Sequence, residues 1–369
     1  MAIAVTFGAT SAGAATQKWT EAQANEWYAK QGWLVGANYI PANAINQLEM
    51  WQAESFDPAR IDLELGWSEK LGMNTMRVFL HDLAWHADPE GFKKRVDTFL
   101  GLCAKHHIRP MLVLFDSCWD PNPKLGKQRD PVPGVHNSGW VQGPGKAALL
   151  DATQLPRLEK YVKDVVGKFG HDERVLAWDV WNEPDNLNDS SYGKEEAPNK
   201  AELVRALLRQ AFAWARSTDP QQLLTSGIWK GDWSSDEKMG PMEHTQIEQS
   251  DVVSFHNYDP PTEMEKRIGF LKRYNRPLIC TEYMARGNGS SFLTNVPVGR
   301  AHNVALYNWG LVQGKTQTYL PWDSWQKPYV GDRKPTIWFH DVFYTDGAPY
   351  VEEETEYLTR VLKPATKTR

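Results

Sequence analysis

The chain has little cysteine: Cys103, Cys118 and Cys280 are the only three in 369 residues. An odd count without CxxC spacing excludes a disulfide scaffold and a thiolate zinc site, and leaves three small buried hydrophobes. Ten histidines are scattered with no HExxH or comparable spacing, so neither a metal nor any other cofactor is expected. No apolar stretch reaches the roughly 18 residues that a membrane span requires. Positive charge is also lacking. The net charge is −5, and Lys and Arg are dispersed through helical stretches rather than gathered into the patch that nucleic acid would select. No repeat of about 20–50 residues suggests a solenoid, and no Pro/Ser/Thr-rich linker marks an appended module. One domain is the default, and a monomer is expected.

What the chain has in quantity is tryptophan, 17 residues, whose flat apolar faces suit both core packing and stacking against sugar rings. The chain also alternates strand-like and helix-like segments. Strands are read near 33–39, 74–80, 109–115, 175–181, 223–228, 252–256, 277–281 and 316–321. Helical patterns lie between them at 61–71, 91–107, 155–169, 201–217, 263–274 and 300–311, with a final acidic helix from about 350 to 362. Eight such strands in this order imply parallel pairing and a closed (β/α)8 TIM barrel, which needs about 250 residues plus loops. Long segments follow strands one, three, four and seven at 41–58, 120–145, 185–199 and 286–298. They would elaborate the C-terminal face, with 120–145 as wall or lid of a partly enclosed site.

Two glutamates close buried runs. Glu183 ends the stretch from Val175 to Trp181, and Glu282 follows Leu278, Ile279 and Cys280. A carboxylate at the C-terminal edge of a parallel strand stands at the barrel mouth, where two of them can face each other across a pocket. That pair is the minimum kit for cleaving a glycosidic bond.

Trp181-Asn182-Glu183-Pro184 and Thr281-Glu282-Tyr283 resemble the acid/base and nucleophile strands of the clan A retaining glycoside hydrolases, most closely the family 5-like cellulase superfamily. Arg77, His256, Tyr258 and Trp322 resemble that family's strand-two arginine, strand-six pair and strand-eight tryptophan. The match spans roughly residues 33 to 325. At the end of strand three, where the family often carries a histidine, the chain has Phe115-Asp116-Ser117-Cys118-Trp119.

The resemblance implies a retaining β-glycosidase acting by double displacement on β-linked glucans, mannans or xylans. Glu282 would be the ionised nucleophile oriented by Arg77, and Glu183 the acid/base with a raised pKa. Asn182 would bond the sugar 2-hydroxyl, Tyr258 would donate to Glu282 or stabilise the ring-oxygen region, His256 would bind a hydroxyl or orient Glu183, and Trp322 would floor the sugar. Further substrate-binding candidates are Asn38, Asp116, Trp119 and Asp323, followed by Trp140, Trp181 and Trp229. A transglycosylase using the same glutamates and a non-catalytic carbohydrate-binding barrel remain open readings. At the N-terminus, a short apolar run leads to Ala12-Gly13-Ala14, like the back half of a secretory signal peptide. Residues 1–15 are therefore expected to be a leader remnant or tail, 16–369 the catalytic domain, and the protein secreted or periplasmic.

Overall fold

The structure, a computed structural model, describes residues 17–363. The leader reading falls outside these residues. Eight parallel strands form one sheet: β1 (Val35–Asn38), β2 (Thr75–Phe79), β3 (Met111–Asp116), β4 (Ala177–Asn182), β5 (Leu223–Thr225), β6 (Val253–Asn257), β7 (Leu278–Tyr283) and β8 (Ala305–Asn308). Their spatial order is β5-β4-β3-β2-β1-β8-β7-β6. The seam between β5 and β6 is closed by Ile228, whose N–H reaches Ser254 O at 3.0 Å and whose carbonyl accepts from His256 N at 2.9 Å. The result is the expected (β/α)8 barrel.

Every strand residue is buried, which is why the strands read as near-continuous apolar runs rather than alternating ones. The outer helices carry their own punctuation. Asp57 caps Pro58–Leu71 through Arg60 N, and Gly72 ends it in the left-handed region at φ 88°. At the N-terminal end of the barrel, a helix the sequence reading missed, Glu21–Ala29, packs Ala24 and Tyr28 onto Met111, Leu176, Leu223, Ile279 and Tyr307. This end is plugged with apolar side chains. Above it, inward polar pairs such as Thr75 with Tyr307 (2.9 Å) and Thr225 with Ser254 (2.7 Å) lead up to the charged mouth.

The eighth strand departs from the reading. It lies at Ala305–Asn308, inside the expected helix 300–311, and the real helix is Phe292–Ala301. The run 316–321 resembled a strand because it is rich in Thr, Tyr and Leu. It is instead an irregular segment held by Thr318 Oγ1 on both Asp341 oxygens (3.0 and 2.9 Å) and by the Phe339 N–H on Tyr319 O (2.9 Å).

Candidate active site

The mouth is organised around Arg77, the inward side chain of β2, which is fully buried. Its Nε and Nη2 donate to Asp179 Oδ2 on β4 (2.9 and 2.8 Å). Nη1 donates to Asn38 Oδ1 (2.7 Å) and Glu282 Oε1 (2.9 Å), and Nη2 also reaches Asn182 Oδ1 (2.6 Å). A rigid planar fork can serve four side chains on three other strands at once, which a point charge on a flexible stem cannot. Asn182 is pinned from the other side, with its Nδ2 donating to Asp116 Oδ1 at 3.0 Å.

Glu183 and Glu282 are brought together as expected. They and His256 place ligand-type atoms within 4.8 Å of one another. Their surroundings differ. Glu282 is held by the Arg77 guanidinium and by the Tyr258 hydroxyl, 2.6 Å from Oε2. Glu183 accepts from His256 Nδ1 at 2.9 Å, Asn186 Nδ2 at 2.7 Å and the Cys118 thiol at 3.1 Å. Burial pushes both carboxyls above their ordinary range. At Glu282 this push is opposed first by His256 and, beyond the like charge of Glu183, by Arg77 and Tyr258. Among the described residues no Lys or Arg touches either Glu183 oxygen, and the Cys118 and Asn186 hydrogen bonds are its main anion-stabilising neighbours. Burial lowers His256 to about 4, so it is neutral near pH 7 and its Nδ1 carries the proton that bonds Glu183.

The backbone is strained here. Glu183, Trp119 and Met284 all take the left-handed conformation, at φ 43°, 69° and 76°. Side chains other than glycine hold such angles where the surrounding structure over-determines them, commonly at functional sites.

The remaining expected residues divide into three groups. Trp119, Tyr258, Trp229 and Trp322 line a cleft of about 490 Å³ with Asn182, Glu183 and Glu282. Trp322 stands edge-on to Tyr258 at 5.1 Å, but it lies on a single turn, Trp322–Trp325, after β8 rather than at the strand's end. The tryptophan that follows the strand is Trp309, which also lines the cleft and which the misplaced strand concealed. Arg77, Asn38 and Asp116 are buried supports beneath the cleft. Asp116 accepts from Trp140 Nε1 (2.6 Å), Asn182 and the Cys118 N–H (3.0 Å), while burial raises it to about 6. Trp140 is thereby a wall behind the site, and Trp181 turns outward into the core against Phe115 at 4.8 Å.

Asp323 does not belong to the site. It is exposed and paired with Arg333 Nη2 (2.7 Å) and the Tyr329 hydroxyl (3.0 Å), because the turn that aims Trp322 inward aims its neighbour at solvent. Segment 120–145, expected as wall or lid, is no lid but supplies Trp140 as the wall behind the site. Its latter half is buried and bridges to Asp116 through Gly143. Residues 186–191 after β4 line the cleft itself, and Asn186, Leu187 and Lys230 are lining residues that sequence reasoning missed. Segment 286–298 is partly helical.

Residues 68–328 match the family profile described as Cellulase (glycosyl hydrolase family 5). No curated protein matches the chain. Among solved structures, the exo-β-1,4-mannosidase Op5Man5 from Opitutaceae bacterium strain TAV5 is 19% identical with a TM-score of 0.57. The match covers 90% of this chain and 60% of that one, so the chain spans less than two thirds of its length. A GH5_18 variant from Streptomyces cattleya in complex with Manβ1-4GlcNAc is 12% identical, TM-score 0.59, covering 91% and 82%. The endo-β-1,4-mannanase from Thermotoga petrophila is 13% identical, TM-score 0.56, covering 93% and 79%. At these identities the likeness is one of fold.

Proposed function

The chain belongs to glycosyl hydrolase family 5 and is a glycoside hydrolase, and from that premise we propose that it cleaves β-linked mannosyl oligosaccharides with retention of configuration. The observation that carries this reading is the unequal pair. Two carboxyls have oxygens within 4.8 Å of each other, and only Glu282 touches a guanidinium. Retaining enzymes place their carboxyl groups about 5–5.5 Å apart and inverting enzymes about 6.5–9.5 Å apart, so a short separation supports double displacement.

Glu282, kept as an anion by Arg77 and Tyr258, attacks the anomeric carbon while Glu183 delivers its proton to the departing oxygen. A glycosyl ester on Glu282 results. Glu183, now a base, takes a proton from water, and the hydroxide oxygen displaces Glu282. Charge leaves the Glu282 carboxylate in the first step and returns in the second, so its fixed donors hold the nucleophile ionised and aimed before attack and stabilise it as the leaving group afterwards. A β-mannosyl substrate is supported by the three enzymes and complexes named above, and a 490 Å³ cleft walled by Trp119, Trp229, Trp309 and Trp322 suits a short oligosaccharide.

The test uses para-nitrophenyl β-mannoside, β-glucoside and β-xyloside beside β-1,4-mannooligosaccharides, followed by proton NMR. The β-anomer should form first, fastest from the mannosides. Glu282→Ala should be inactive, and azide should restore turnover with an α-azide product. Initial formation of the α-anomer would overturn retention, and preference for glucoside or xyloside would overturn the sugar assignment.

A further inference from the structure

Cys118 is the one cysteine of the three that meets the reacting groups. Its Sγ lies 3.1 Å from Glu183 Oε2, and the same sulfur accepts from Asn182 Nδ2 at 3.4 Å and Asn186 Nδ2 at 3.5 Å. With two amide donors on the sulfur, the S–H is left to the carboxylate. Cys118 follows β3, where the backbone reverses into the left-handed Trp119, so the thiol is aimed by strained main chain rather than by a free rotor. Its N–H is tied to Asp116 Oδ1 at 3.0 Å, which fixes the Cα.

We propose that Cys118 is a positioning residue for the general acid, its S–H holding Glu183 Oε2 so as to set both the orientation of that carboxyl and the alkaline end of the activity profile. The inference rests on the assignment of Glu183 as acid/base made above. A thiol suits this post. It donates only weakly to the carboxylate, so it aims the group without the strong bias toward the anion that an ammonium donor would impose. Burial pushes the thiol itself well above its usual range, and Glu183 and Asp116 push it further, so it stays S–H and does not compete as a nucleophile.

The other groups facing Glu183 come from every side of the mouth. Arg77 stands on β2, Asp116 on β3 beyond the thiol, Asp185 beside Glu183 with Lys230 at 2.9 Å from its carboxylate, His256 and Tyr258 at β6, and Glu282 on β7. The buried Lys200 bonds the Ser117 carbonyl at 2.8 Å, one residue before the thiol. None of these is altered by exchanging sulfur for a methyl hydrogen or a hydroxyl, so the thiol's share can be read separately.

The test is the pH dependence of kcat/KM for Cys118→Ala and Cys118→Ser, with one activated aryl glycoside and one unactivated disaccharide. Loss of the donor disfavours the Glu183 anion. In Cys118→Ala the alkaline limb should therefore move up by about half a unit to one unit, the worth of one weak hydrogen bond to a charge. Turnover of the disaccharide should fall about three- to tenfold from looser aim, with the aryl glycoside little changed. Cys118→Ser should return both readouts toward the parent, and unchanged circular dichroism should accompany both variants. An unmoved limb in Cys118→Ala, or the same displacement in the Ala and Ser variants, overturns the proposal. Glu183→Gln, assayed alongside, separates the two levels. If it lacks the leaving-group dependence of a missing acid, the functional reading fails and the thiol's role with it. If it shows that dependence while the limb stays fixed in Cys118→Ala, the thiol's role alone fails.

Discussion

Arg77 Nη1 lies 2.9 Å from Glu282 Oε1, and the same guanidinium spans to Asp179, Asn38 and Asn182. One buried cation thus fixes four inward side chains of the barrel and balances two buried carboxylates, Asp179 beneath the cleft and Glu282 at its floor. Arg77 thereby ties the position of Glu282 to that of its neighbours on β1 and β4.

Replacing it should therefore have two separable effects. Arg77→Met strands two buried carboxylates and should cost about 3–5 kcal/mol of stability, read from urea unfolding. Arg77→Lys keeps the charge but cannot reach four partners, and should lower kcat about 100-fold with a smaller change in unfolding midpoint. A Lys variant of parent activity would reduce Arg77 to a scaffold residue.

Much of this was legible beforehand. Glu183, Glu282, Asn182, His256 and Tyr258 each stand at or just beyond the C-terminal end of a strand, where a buried apolar run followed by polar residues is a one-dimensional signal. Strand eight was not legible, because Ala305–Asn308 is four residues long and its register comes from pairing with β1 and β7 rather than from its own pattern. That error hid Trp309, and Trp322 lines the cleft from a turn after β8 rather than from the strand end expected of it. Asp323 misled because adjacency in sequence says nothing of direction on a single helical turn. Asn186, Leu187 and Lys230 sit in loops whose course is set by tertiary contacts, such as Lys200 Nζ on the Asn186 carbonyl at 2.7 Å, and carry no periodic trace.

Tyr258→Phe removes the hydroxyl 2.6 Å from Glu282 Oε2 while keeping the ring against Trp322. The hydroxyl opposes the upward push of burial on Glu282, so its loss raises that carboxyl further. The acidic limb of kcat/KM should move up by about one unit, and kcat/KM at its optimum should fall about tenfold. A limb that stays in place would mean that Tyr258 acts by packing alone.

Asp341 is bonded to Thr318 and packed so close to Gly310, at φ 74°, that a Cβ there would lie 2.2 Å from its Oδ1. Burial raises it to about 7, against an ordinary value near 4 in the unfolded chain. The folded state therefore holds this proton more tightly. Its contribution to stability is fully present below about pH 4 and is lost as pH rises through 7, by up to roughly 4 kcal/mol. Asp341→Asn cannot titrate, so its stability relative to the parent should increase between pH 4.5 and 8 in urea unfolding. A difference that is constant with pH would show that the group does not titrate in this window.

Glu183→Ala should distinguish substrates by how much help their leaving groups need. An unactivated oligosaccharide departs as an alkoxide unless it is protonated, so its turnover should fall by about 10²–10⁴. A para-nitrophenolate leaves without a proton, so formation of the glycosyl ester should be nearly unaffected and the later water step, which needs the same residue as base, should become limiting. The ester should then accumulate as a pre-steady-state burst of nitrophenol. Azide, which needs no base, should discharge it with retention, because it attacks the face that water normally uses. The alkaline limb should also flatten, since in the parent it reports loss of the Glu183 proton, held up by burial and opposed chiefly by Cys118 and Asn186. Equal slowing of both substrates, with no burst and the limb intact, would assign Glu183 to binding and place the acid elsewhere in the cleft.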